Sequence, residues 1–80
     1  MQLTIYSLKG IEFQGEAEAL NVKTQSGEIT VLDNHRPLIT LLKKGTAKII
    51  KRGGNVEKID INSGFLEVQP GSLVDALIDR

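Results

Sequence analysis

The sequence predicts an all-β domain: a small β-sandwich, or flattened barrel, of about eight to ten short strands. Three observations lead there. Glycine or proline breaks the chain so often that the longest stretch free of both is residues 16–26, eleven residues that open with alternation rather than a 3.6-residue period. Helices average about 11–12 residues and disfavour interior glycine and proline. Short β-branched runs recur between the breaks, with a turn signal every eight to twelve residues. Finally, 80 residues with 40% apolar and 25% charged side chains suit one globular core and no more.

The strands follow in order. Leu3 and Ile5 alternate with Thr4 and Tyr6, and a second short segment runs from Ile11 to Phe13. From Ala17 to Thr24, one side carries Glu18, Leu20 and Val22 and the other Ala19, Asn21 and Lys23. Ile29 to Leu32 follows the turn Ser26-Gly27-Glu28. Leu38 to Leu42 follows Pro37, which also drives Arg36 towards extended backbone. Thr46 to Lys51 and Val56 to Ile61 flank Arg52-Gly53-Gly54-Asn55, a hairpin loop in which glycine supplies positive φ. Phe65 to Val68 and Leu73 to Ile78 close the chain around Gln69-Pro70-Gly71-Ser72. Residues 1–80 read as one domain without linker, low-complexity segment or internal repeat.

Composition narrows the function. With no cysteine, neither a disulfide scaffold nor a thiolate metal site is available. The longest apolar run, Leu38 to Leu42 with Thr40 inside it, falls far short of the ~20 residues that span a bilayer. Net charge is zero but unevenly spread: residues 36–58 hold seven basic side chains against Glu57 alone, and acidic residues dominate both flanks. That pattern suggests an oriented surface rather than a polyanion binder.

Catalytic chemistry is sparse. His35 is the lone histidine, with Asp33 two residues before it, and nothing resembles a strained nucleophile turn or metal-ligand spacing. Gly53-Gly54 lies between strands, without the helix N-terminus that cradles phosphate. No catalytic residue, metal or cofactor is expected. Two other classes compete. A biotin- or lipoyl-type carrier of this size would present Lys23 or Lys58 on a hairpin tip. A single-strand nucleic-acid binder would place aromatic residues beside the Lys43–Lys58 cluster, yet Tyr6, Phe13 and Phe65 all lie outside it.

The specific signal is Ser26 to Gly45, SGEITVLDNHRPLITLLKKG, with Gly27-Glu28, Asn34-His35, Pro37-Leu38-Ile39-Thr40 and Gly45 as its marks. A second is Ser63 to Gly71, SGFLEVQPG, and a third is Phe13 to Glu18, FQGEAE. Together these resemble the β-sandwich of the ε subunit of bacterial and chloroplast F-type ATP synthases. Departures are Asp33 for a common proline, Arg36 for a small residue, Ser63 for glycine and Asp75 for an apolar residue. The family's longer members continue into two helices. This chain ends at Asp79-Arg80, and the expectation is a short natural form lacking that hairpin, without ATP binding.

What the resemblance implies is a non-catalytic part of the rotor, at the foot of the central stalk. One sheet face would pack on the γ subunit, and one end would rest on the membrane-embedded ring of c subunits, coupling ion translocation to ATP synthesis. Ser26, Gly27, Glu28, Asp33, Asn34, His35, Arg36 and Pro37 are the expected ring-facing residues, with both turns at the same end of the sandwich. Ser7 is expected on the γ-facing side. No nucleic acid is expected as partner. Membrane contact would be indirect, through the ring, at the cytoplasmic face of a bacterial plasma membrane.

Overall fold

The computed structural model describes residues 1–80. Nine strands form: β1 Gln2–Ser7, β2 Gly10–Glu16, β3 Ala19–Thr24, β4 Gly27–Leu32, β5 Leu38–Leu42, β6 Gly45–Ile50, β7 Val56–Ile61, β8 Ser63–Gln69 and β9 Leu73–Asp79. The one helical element is a single 3-10 turn, Arg52–Gly54, in which Gly53 takes φ 86°. Several strands outrun their sequence-predicted limits because pairing continues to the turn itself. Gly10 still faces Ser7, and Gly27 still faces Thr24.

The strands make two layers. One, β2-β1-β9-β8-β5, is called sheet I below; the other, β4-β3-β6-β7, is sheet II. They join along one seam, where an edge of β3 is shared. Its first half pairs with β6, and Thr24 at its end pairs with Leu42 of β5. All ladders are antiparallel except β1 with β9. That parallel register, Leu3 on Val74 and Ile5 on Ala76, turns Val74, Ala76 and Ile78 inward and leaves Asp75 facing out.

The core lies between the layers. Leu3, Ile5, Leu20, Val31, Ile49, Leu66 and Val74 are fully enclosed, and no buried side-chain polar atom lacks a partner. Burying one such side chain contributes about 1.5–3 kcal/mol. Packing is close enough to dictate Gly64: a β-carbon there would sit 2.7 Å from the Leu77 carbonyl oxygen and 3.2 Å from Ile78 Cα. This accounts for glycine in the SGFLEVQPG stretch by contact rather than by turn geometry.

The sandwich measures 26 × 23 × 20 Å and has two distinct ends. Met1, residues 17–18, the Asp33–Pro37 corner, the 3-10 turn and residues 70–72 gather at one. The turns at residues 8–9, 25–26, 43–44 and 62, together with Arg80, gather at the other. The two sequence-predicted ring-facing turns therefore do not share an end. A single strand, β4, connects them, so its six residues at ~3.4 Å each hold them roughly 17–20 Å apart.

Candidate functional site

Three surfaces contain the residues singled out from the sequence: the Gln25–Glu28 tip, the Asp33–Pro37 corner and the outer face of sheet I.

The tip is a hairpin built around Thr24, which is buried. Its Oγ1 donates to the Gly27 carbonyl at 2.7 Å and accepts from the Ser26 amide at 3.1 Å. Gly27 sits at φ 117°, a backbone region open to glycine and strained for other residues. Gln25, Ser26, Gly27 and Glu28 are all exposed. Glu28 pairs with Lys23 across the strands and accepts from Asn21 Nδ2 at 3.1 Å, while the Ser26 hydroxyl has no partner within the chain.

The corner spends part of its polar groups internally, while the Arg36 side chain stays exposed. Asp33 Oδ1 lies 2.5 Å from the Met1 ammonium, which also donates to the Ala17 carbonyl at 2.8 Å and sits 3.6 Å from Glu16. The hydrogen bond it donates to Asp33, helped by the negative charges of Asp33 and Glu16, raises the ammonium's pKa above its ordinary 8.0 against the cost of burial. Asn34 adopts φ 63°, and its amide donates to Ser72 Oγ at 3.0 Å. His35 Nδ1 donates to the Arg36 carbonyl at 2.7 Å. His35 has no nucleophile or carboxylate bonded to its ring, so the corner turns the chain and ties it to Met1 and to the loop before β9.

Ser7 closes β1 at the tip end. Its hydroxyl bonds Glu12 at 2.5 Å and accepts from the Lys9 amide at 3.1 Å. Arg80 reaches the other oxygen of Glu12 at 2.7 Å. The Ser7 hydrogen bond, then that of Arg80, lowers the Glu12 pKa below its ordinary 4.5.

The outer face of sheet I carries a feature that the sequence left unspecified beyond one partner-facing sheet face. Ile11 faces Tyr6, Tyr6 faces Leu77, Leu77 faces Phe65 and Phe65 faces Leu41, an unbroken row across all five strands. All five are 40–57% exposed, and Leu8 stands fully exposed beyond the row. Monomeric surfaces rarely display contiguous apolar rows; those that do mark contacts. Alternation puts Tyr6, Leu41, Phe65 and Leu77 at outward positions one by one, and only the strand order joins them into a row.

The competing classes fit poorly. Lys23 and Lys58 lie within β3 and β7, not at hairpin tips. The stem of Lys23 passes over Gly45, its Cδ 2.8 Å from where a β-carbon would stand. Lys48 faces Lys58 on the outer surface of sheet II, whereas Tyr6 and Phe65 are on sheet I.

Residues 1–76 match the family described as ATP synthase, Delta/Epsilon chain, beta-sandwich domain. The chain belongs to this family. It is 38% identical over 79 residues to an ATP synthase epsilon chain of Bordetella petrii, covering 99% of this chain and 55% of that one. Its fold superimposes with a TM-score of 0.92 on a chain from the Euglena gracilis mitochondrial ATP synthase, described as OSCP/F1/c-ring in rotational state 1. Identity there is 25%, with 98% of this chain and 49% of the other covered. A chain from the Tetrahymena thermophila mitochondrial ATP synthase, central stalk and c-ring, shares the fold at TM-score 0.83 and 14% identity, over 100% of this chain and 63% of that one. The chain thus spans about half to two thirds of the length of these relatives. No helix is long and apolar enough to cross a membrane.

Proposed function

We propose that the chain is a non-catalytic rotor part of an F-type ATP synthase. In this reading the outer face of sheet I packs on the γ subunit and the Gln25–Glu28 tip rests on the c-ring, so that ion translocation is coupled to ATP synthesis. The observation that carries it is the five-strand apolar row on a sandwich of the ATP synthase delta/epsilon family. Covering such a row removes apolar area from water at about 25 cal/mol per Å², the main source of stable docking.

The tip takes the ring-facing role because its groups are exposed and Ser26 is unengaged, whereas at the corner Asp33 is held by the Met1 ammonium and the Asn34 backbone amide by Ser72. The Asp33–Pro37 corner then faces away from the ring. Ser7 follows Tyr6 at the end of β1 with its side chain on the alternate side of the strand and its hydroxyl on Glu12, so in this reading it stands at the rim of the γ-facing surface and not on it. The subunit sits peripherally at the membrane's cytoplasmic side, touching the bilayer's proteins rather than its lipid.

Because the sequence has no cysteine, single introduced cysteines report cleanly. In the assembled complex, Ser26→Cys should cross-link to a c subunit and Leu77→Cys to γ, while Asp33→Cys should reach no ring loop. Cross-linking of Asp33→Cys, but not Ser26→Cys, to the ring would reverse the orientation. Failure of the chain to co-purify with γ and c subunits would remove the whole reading.

A further inference from the structure

One pleat from the apolar row, on the same outer face of sheet I, Glu67 stands directly opposite Asp75. Both are half-buried. Asp75 accepts from Gln69 Nε2 at 3.0 Å, and neither carboxylate has a cation partner. Like charges directly opposite on a sheet are destabilising. The outward positions of all five strands include no lysine or arginine, although the chain has ten basic residues. Folding does not demand this pair, since an amide at position 75 would still accept from Gln69.

From this juxtaposition we infer that the partner of sheet I brings its own cation: an arginine or lysine, beside an apolar stripe, that seats between Glu67 and Asp75. The inference rests on the reading that this face packs on γ and specifies what γ must present there. The apolar row supplies affinity without direction, because Tyr6, Leu77, Phe65 and Leu41 offer much the same surface to a partner slid along them. A cation held by two carboxylates fixes the register and speeds encounter. For a subunit that turns with its partner, a fixed register is what prevents slip.

The test is binding of the purified chain to the γ subunit of the same complex across a salt series. Isosteric Glu67→Gln with Asp75→Asn should weaken binding about tenfold at low salt and flatten the salt dependence. Leu77→Ser should weaken it at least as much at every salt concentration, with slope preserved. Circular dichroism and melting of each variant establish that it is folded. If Leu77→Ser weakens binding but the carboxylate variant matches wild type in affinity and slope, the cation is wrong and the γ-facing row stands. If Leu77→Ser binds γ as wild type does, or sedimentation shows the row occupied by a second copy, the γ reading falls and this inference with it.

Discussion

At one end of β4 the Gln25–Glu28 tip is held by the buried Thr24 hydroxyl and by the Gln25 amide on the Leu41 carbonyl; at the other, the Asp33–Pro37 corner is tied to Met1 and to the loop before β9. Both are short, polar and rich in turn residues, so composition alone assigns them the same duty. The difference is where their hydrogen bonds go. At the tip the side chains of Gln25 and Ser26 are left for a partner. At the corner Asp33 holds the distant Met1 ammonium, and Arg36 is the charge left free.

Four substitutions probe this contrast, from the largest expected effect down. Thr24→Val keeps the shape of the tip's anchor but deletes both bonds of its hydroxyl. It should cost about 1–3 kcal/mol, which thermal melting would register at about 4–8 °C per kcal/mol, and Thr24→Ser should recover most of it. Equal stability of Thr24→Val and wild type would mean the tip is held without that hydroxyl.

Asp33→Asn should cost about 1 kcal/mol or less, since Asp33 is largely exposed. Its sharper signature is in pH. The Met1 ammonium has a higher pKa folded than unfolded, so its contribution is full below pH 8.0 and fades as pH climbs through the raised folded value. Wild type should therefore lose stability across that alkaline window, and the variant should lose less. Parallel alkaline limbs in denaturant titrations would show that the corner's tie is inert.

Glu12→Gln tests the Ser7 side by the opposite sign. A carboxylate with a lowered pKa contributes fully above 4.5, and the contribution disappears as pH falls through the folded value. The variant should flatten the acid limb and leave the alkaline limb unchanged. The smallest effect belongs to Glu28→Gln, within about 0.5 kcal/mol of wild-type stability, because Glu28 is exposed and its bond to Asn21 survives in an amide. A large loss of stability there would make the tip a structural element after all.

Much of the architecture was legible. Gly53 and Gly54 mark the β6–β7 loop, and both take positive φ. Arg36-Pro37 marks the start of β5, while the register of β9, where Asp75 breaks the family's pattern, was set only by its pairing with β1 and β8. The opposed positions of tip and corner were misread as one shared end, although Ile29 to Leu32 reads as one strand and a strand between two turns separates them. The apolar row was not legible. Its members come from five strands whose neighbours are set by β9 returning beside β1, a pairing of the chain's first and last strands that no local pattern encodes. The Glu67–Asp75 pair lies across the local β8–β9 hairpin and was hidden only because the register of the last strand was unassigned.

That return of β9 also governs how the domain comes into being. Sheet I is complete only when residues 73–79 have inserted between β1 and β8. Until then two strand edges that end up in the middle of the sheet are unpaired, as templates for wrong partners. No N-terminal portion of the chain can settle its half of the core first. Folding should thus be a single late event, slow in the manner of long-range β topologies, on the order of milliseconds to seconds. A stop even a few residues before Leu77 would yield a sticky polypeptide in place of a shortened sandwich.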